Sequence, residues 1–169
     1  MPRQRLCILS RKKSLYSTTR LVEAAREHGA RPIVMDTLRC TLIVAPEGNS
    51  MLYRGVPVTG LSAAIPRIGT SITGYGMSVV NHLSTMNVPV VNPAHAIARS
   101  RDKLRCLQLL AQHGIDVPRT VMANAGSKVN NLVAAVGGLP CIIKLLRGTQ
   151  GVGVMIANTS AEAETIVQT

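Results

Sequence analysis

The apolar positions of this chain fall into short blocks separated by turn residues. Residues 5–10 (RLCILS) are such a block and predict a buried strand. A polar loop runs from Ser10 to Ser17. From about Thr18 to His28 the positions Leu21, Val22, Ala24 and Ala25 give a helix one apolar face. Gly29 is placed to end that helix, with His28 in the last turn where the helix dipole favours positive charge. Residues 31–36 (RPIVMD) form a second strand. Strand, helix and strand within about 30 residues predict a βαβ unit on a parallel sheet.

The next blocks, 41–45 (TLIVA) and 51–58 (MLYRGVPV), are split by the turn residues PEGNS and predict small added strands or a hairpin. A strand over 63–68 (AAIPRI) ends in Gly69-Thr70-Ser71. This places Arg67 near the carboxyl end of a sheet strand, where α/β proteins bind ligands; a surface ion pair is the alternative. A weakly amphipathic helix over 71–87 contains Gly74 and Gly76, and 88–92 (VPVVN) predict another strand. Asn92-Pro93 marks a joint. Beyond it, Ser100 is placed to cap a helix with Asp102 in its first turn, Leu104, Leu107, Leu110 and Ala111 on one face, and Gly114 at its end. A strand over 117–122 and a helix over 127–136 follow.

The stretch from Leu139 to Asn158, LPCIIKLLRGTQGVGVMIAN, predicts strand, glycine-rich loop and strand. Residues 141–146 have the apolar character of a buried strand, interrupted by Lys144. Gly148, Thr149, Gln150, Gly151 and Gly153 follow. Glycines let backbone N–H groups close on an anion, and a neighbouring lysine supplies charge, which suits a flap over nucleotide phosphates. A hairpin with a glycine-rich turn and a lysine reaching to water satisfies the same pattern. A last helix starts at Ser160, with Thr159 and Glu162 in capping-box spacing.

Composition narrows the chemistry. The chain of 169 residues has no Phe, no Trp and three Tyr, so its core must be aliphatic and base stacking on aromatic platforms is nearly excluded. Nineteen Lys and Arg, mostly Arg, against 8 Asp and Glu give a formal charge of +11, which favours polyanionic partners. The one basic run, Arg11-Lys12-Lys13, suits either a solvated loop or a contact to phosphate or an acidic tail. No acidic residue lies between Glu47 and Asp102 or between Asp116 and Glu162. Magnesium needs carboxylate oxygens, so a phosphoryl-transfer metal site is expected to be missing. Cys7, Cys40, Cys106 and Cys141 have no paired spacing and predict reduced, buried thiols of a cytoplasmic protein. No apolar run approaches the length of a membrane span. His28 and His113 both sit at helix ends, and His82 and His95 have no evident partner. Gly69 and Gly74 have Walker-type spacing, but Tyr75 and Gly76 stand where Lys and Ser/Thr are required, and the loop over 10–17 has no glycine for a dinucleotide fingerprint.

Four stretches carry a family resemblance: CILSRKKSLYSTTRLVEAA, AAIPRIGTSITGYG, VVNPAHAIARSRDKLRCLQLLAQHGIDVPRT and GGLPCIIKLLRGTQGVGV. From Leu6 to about Val167 the chain resembles the N-terminal half of the RimK family, ATP-grasp α-L-glutamate ligases that modify a small-subunit ribosomal protein. The resemblance implies an α/β protein: a parallel-sheet pre-ATP-grasp domain over 1–99, then the first, incomplete α+β subdomain of an ATP-grasp fold over 100–169. It implies ATP as cosubstrate, with Lys103, Lys144, Gly148, Thr149, Gln150, Gly151 and Gly153 at the nucleotide, and no catalytic or metal-ligating residue in this chain. Magnesium is expected for the full-length family, its ligands lying in the half this chain lacks. Glutamate and a ribosomal protein are the implied partners, no membrane is involved, and the full-length family is expected to be homo-oligomeric. By itself the chain is expected to be inactive. Arg147 departs from the family, which carries an acid there. A non-catalytic basic module for the ribosome or an acidic protein, and a ligase for a small-molecule carboxylate, are the alternatives.

Overall fold

The computed structural model describes residues 4–124, 126–144 and 153–168. They form two compact units, Met1–Arg99 and Ser100–Thr169. The first opens with β1 (Arg5–Leu9), α1 (Tyr16–Glu27) and β2 (Arg31–Met35), the predicted βαβ unit, with β1 and β2 parallel and Cys7 opposite Ile33. Gly29 adopts a φ of 77° just beyond α1, a conformation that suits glycine and lets the chain leave the helix sharply. A 3-10 turn over Thr37–Arg39 leads into β3 (Cys40–Ile43), β4 (Ser50–Tyr53) and β5 (Val56–Pro57), an antiparallel sheet in chain order. Of the two alternatives for this stretch, the added strands are present, as a three-stranded meander. Then β6 (Ala63–Pro66) returns to pair parallel with β1, giving the order β2-β1-β6, and α2 (Thr73–Thr85) follows.

The core of this unit is aliphatic and thiol-rich. Cys7, Leu9, Met35, Cys40, Met51, Ala64, Val79, Val80 and Leu83 are buried together between the sheet, the meander and α2. Full burial of each larger side chain contributes roughly 1.5–3 kcal/mol, so methionine and valine replace the missing aromatics by number. His82 is also buried, and its Nε2 lies 2.8 Å from Ser50 O. It pins α2 to β4 and so has a partner that its sequence neighbours do not reveal. At the end of β1, Ser10 and Thr18 are buried with their hydroxyls 2.7 Å apart. Ser10 donates to Lys12 O, so Thr18 is the donor to Ser10, and the two hydroxyls tie the end of β1 to the first turn of α1.

Two predicted strands are absent. Residues 88–92 make a single parallel bridge, Val90 to Ala64, because Pro89 has no N–H to continue the ladder. Residues 117–122 form no strand: Pro118 interrupts the donors, and Val121 and Met122 are exposed. The joint near Pro93 is followed by an unpredicted helix, α3 (Ala94–Arg101), whose Ala94 and Ile97 rest on the first core. Ser100 lies inside α3 and is not a cap. Asp102 is the N-cap of α4 (Lys103–Gln112), accepting from Arg105 N at 3.0 Å in extended backbone geometry.

The second unit continues with α5 (Val129–Val136), β7 (Cys141–Lys144), β8 (Val154–Ala157) and α6 (Ser160–Gln168). β7 and β8 pair antiparallel with Ile142 opposite Ile156 and Lys144 opposite Val154. Thr159 Oγ1 accepts from Glu162 N at 3.2 Å, while Glu162 accepts from Asn158 N at 2.7 Å, so the predicted capping spacing is realised one residue wider on its return bond. No helix among the described residues is long and apolar enough to cross a membrane.

The thiols differ. Cys7 and Cys40 are buried, whereas Cys106 and Cys141 are only half-buried, against the expectation of four buried thiols. Burial, with Cys40 nearby, pushes Cys7 up to about 12. Burial, with Asp36 nearby, pushes Cys40 up to about 11. The unfolded thiols ionise near 9.0, so this difference favours the folded state below pH 9.0 and is lost as the pH rises from there toward 12. With iodoacetamide at pH 8, native protein is expected to alkylate at Cys106 and Cys141 while Cys7 and Cys40 stay unmodified. Mass spectrometry of tryptic peptides reads the outcome, and equal labelling of all four would contradict the burial.

Candidate functional site

Period-two alternation decides the character of the β7–β8 hairpin. One face carries Cys141, Ile143, Met155 and Ala157, of which Ala157 is fully buried, and the hairpin packs on α6. The other carries Ile142, Lys144, Val154 and Ile156. Ile142 is 60% exposed, Val154 48% and Ile156 63%. The apolar run is therefore not a buried strand. A two-stranded ribbon with a helix on one side leaves its other face open, and Lys144 stands on that face, exposed among three aliphatic side chains.

Such a face pairs an apolar surface with one mobile cation. It can cover a flat hydrophobic group while the ammonium meets an anion attached to it. Gly153, with φ 83°, turns the chain into β8. Arg147, Gly148, Thr149, Gln150 and Gly151 lie outside the described residues. Lys103 is the first residue of α4, exposed and directly after the Asp102 cap, on a separate element from the hairpin. The hairpin's open face was missed in the sequence, although Ile142 and Lys144 two apart, and Val154 and Ile156 two apart, were the signal for it.

Arg67 belongs to the first unit. It follows β6 directly, its N donates to Leu9 O at 2.8 Å, and its side chain is exposed with no ion pair among the described residues. It therefore stands at the carboxyl ends of β1 and β6. The sheet order makes this a switch point, since the chain leaves β1 toward β2 on one side and β6 lies on the other. Arg11, after β1, is tied to Asp36 at 3.0 Å, and Arg39 stands 3.7 Å from the same carboxylate. Among the described residues Arg67, like Lys12 and Lys13 in the loop after β1, has no ion pair at this end of the sheet.

The described residues do not suit a magnesium ion. No three His, Cys, Asp or Glu side chains converge among them. Asp36 is taken by two arginines and Glu162 by the Asn158 N–H.

Comparison with known families settles the lineage. Residues 4–97 match the RimK pre-ATP-grasp domain and residues 100–169 the RimK-like ATP-grasp domain. The chain belongs to the RimK family. A relative in Pseudomonas paraeruginosa, named probable alpha-L-glutamate ligase, is 48% identical to this RimK-family chain over 164 residues, 97% of this chain and 54% of that protein. The chain thus spans about half the length of the curated relatives it matches. Among solved structures, a RimK domain ATP-grasp protein of Sphaerobacter thermophilus superposes with a TM-score of 0.69 at 22% identity, covering 97% of this chain and 57% of the other. The ATP-grasp ligase PsnB, in complex with a phosphomimetic variant of its minimal precursor, Mg and ADP, superposes with a TM-score of 0.69 at 19% identity, covering 99% and 63%. At these identities the likeness shows the fold: a pre-ATP-grasp domain followed by part of an ATP-grasp fold.

Proposed function

We propose that this chain contributes the phosphate-contacting hairpin of an ATP-dependent carboxylate–amine ligase that joins glutamate to the carboxyl terminus of a protein. The observation that carries the reading is Lys144, exposed on the open face of β7–β8 beside Ile142, Val154 and Ile156. The aliphatic side chains suit the flat nucleoside end of ATP, and the ammonium suits its phosphates. Lys103 and the residues from Gly148 to Gly153 complete the nucleotide contacts in this reading. The naming of 48%-identical relatives as probable alpha-L-glutamate ligases supports glutamate as the incoming amine.

In the reaction, a carboxylate oxygen of the acceptor attacks the γ-phosphorus of ATP, releasing ADP and leaving an acyl phosphate. The amine of glutamate then attacks that carbonyl, phosphate leaves, and an amide forms. Negative charge builds on the transferring group in the first step, and fixed cations stabilise it there. Arg67 would hold a carboxylate of glutamate or of the acceptor. The acceptor is proposed to be a ribosomal protein, in the cytoplasm, and the complete ligase a homo-oligomer that uses magnesium.

The described residues bring no magnesium donor set, so the chain by itself is expected to bind ATP weakly and not turn it over. The test follows ADP release by purified protein with ATP, magnesium, glutamate and an acceptor peptide. Background hydrolysis together with a measurable ATP-induced thermal shift is the expected pair. Glutamate-dependent turnover would overturn the inactivity, and no thermal shift at millimolar ATP would overturn the nucleotide reading.

A further inference from the structure

A second feature belongs to the first unit, between α1 and the outer edge of β2. A cavity of about 370 Å³ opens there, lined by Lys13, Thr19, Val22, Arg26, Arg31 and Val34 among others, with no carboxylate in its walls. Lys13, Arg26 and Arg31 are exposed, and none makes an ion pair among the described residues. Of the two acids of α1, Glu23 is paired with Arg20, and neither it nor Glu27 lines the groove.

The cations stand at the two ends of the groove. Lys13 lies at the start of α1, where Thr19 Oγ1 donates to its carbonyl at 3.2 Å. Arg26 is in the last turn of α1, and Arg31 begins β2. Thr19 and Arg26 are seven residues apart, about 10 Å along a helix axis. A single phosphate is too small to meet both ends. An extended peptide in the polyproline-II conformation has three residues per turn and rises about 3.1 Å per residue, so acidic side chains three residues apart share a face and would meet both. Val22 and Val34 leave an apolar floor for the methylene groups between.

The strand edge argues for side-chain recognition. Arg31 N donates to Gln4 O and Met35 O accepts from Ser10 N, so residues 31, 33 and 35 face β1 while Pro32 and Val34 face the open edge. Pro32 offers no N–H there, which disfavours an added strand and leaves charge as the main attraction.

We propose that this groove docks an extended acidic peptide segment, with carboxylates about three residues apart held by Lys13 at one end and by Arg26 and Arg31 at the other. This site stands apart from the nucleotide reading, and its test uses no nucleotide. Fluorescence anisotropy of a labelled oligoglutamate peptide is measured against the full chain, with Lys13→Ala/Arg26→Ala/Arg31→Ala compared with a charge-matched control, Arg54→Ala/Arg99→Ala/Arg119→Ala. The groove variant is expected to bind about fivefold to tenfold more weakly, as three exposed charge contacts would give, and the control less than about twofold. Oligoglutamine should not bind, and inorganic phosphate should not compete at matched charge. Equal weakening by both variants would mean diffuse charge and overturn the site. Competition by phosphate would replace the peptide by a small anion, and absence of binding to the unmodified chain would end the proposal. Should the alanine variant unfold, Lys13→Gln/Arg26→Gln, at two exposed positions, makes the same comparison.

Discussion

Replacing Lys144 by alanine is expected to weaken ATP binding by about tenfold to a hundredfold. A hydrogen bond to a charged phosphate contributes roughly 1.5–3 kcal/mol, and each 1.4 kcal/mol is a factor of ten. The side chain projects from an open face, so its removal takes away the charge without emptying a core. The fold should hold, since an exposed strand position tolerates alanine at a cost of a few tenths of a kcal/mol. Lys144→Arg should retain part of the affinity, because the charge remains while the single ammonium point is replaced by a wider fork. Isothermal titration with a non-hydrolysable ATP analogue reads all three proteins. Equal affinity in the alanine variant would remove Lys144 from the nucleotide site, and with it the main structural support for the proposed function.

Gly76→Val is expected to destabilise the first unit by about 3 kcal/mol, whereas Gly74→Ala should stabilise it by roughly 0.5 kcal/mol. The two glycines share α2 and differ in what surrounds them. A Cβ on Gly76 would stand 2.4 Å from Cγ2 of Ile68, with two more atoms of that side chain within 3.4 Å. Ile68 is branched at Cβ, stiff at χ1, and packed against the core, so it cannot swing aside. A Cβ on Gly74 meets nothing within 4 Å. Thermal unfolding should show the Gly76 variant melting roughly 10–20 °C lower, by the entropy of a domain near 100 residues. A similar melting temperature for both variants would mean that α2 shifts away from Ile68 at little cost. Gly76, which stands where a phosphate loop would need Ser or Thr, instead serves the close approach of α2 to Ile68.

Much of the first unit was legible in the chain. Its βαβ start follows from an apolar block, a one-faced helix ending at Gly29, and a second apolar block, each a local pattern with one physical outcome. The aliphatic core and the free thiols follow from the residues available. The failures have a common cause. Residues 88–92 and 117–122 have strand composition, but a strand exists only where a partner supplies hydrogen bonds, and Pro89 and Pro118 remove donors that a ladder needs. Asp102 outcompeted Ser100 as a cap because α3, unpredicted, already occupied Ser100.

For the candidate site, the residue types pointed to phosphate chemistry: a lysine in an apolar run before a glycine-rich stretch, with carboxylates missing where a metal would need them. The sequence by itself determined the family membership and the βαβ start of the first unit, since these depend on residue identity and local spacing. Only the tertiary structure decided that Ile142, Lys144, Val154 and Ile156 share one open face, that His82 is buried against Ser50, and that Lys13, Arg26 and Arg31 frame one groove. Each of those facts depends on which side of an element is covered, and coverage is set by partners distant in the chain.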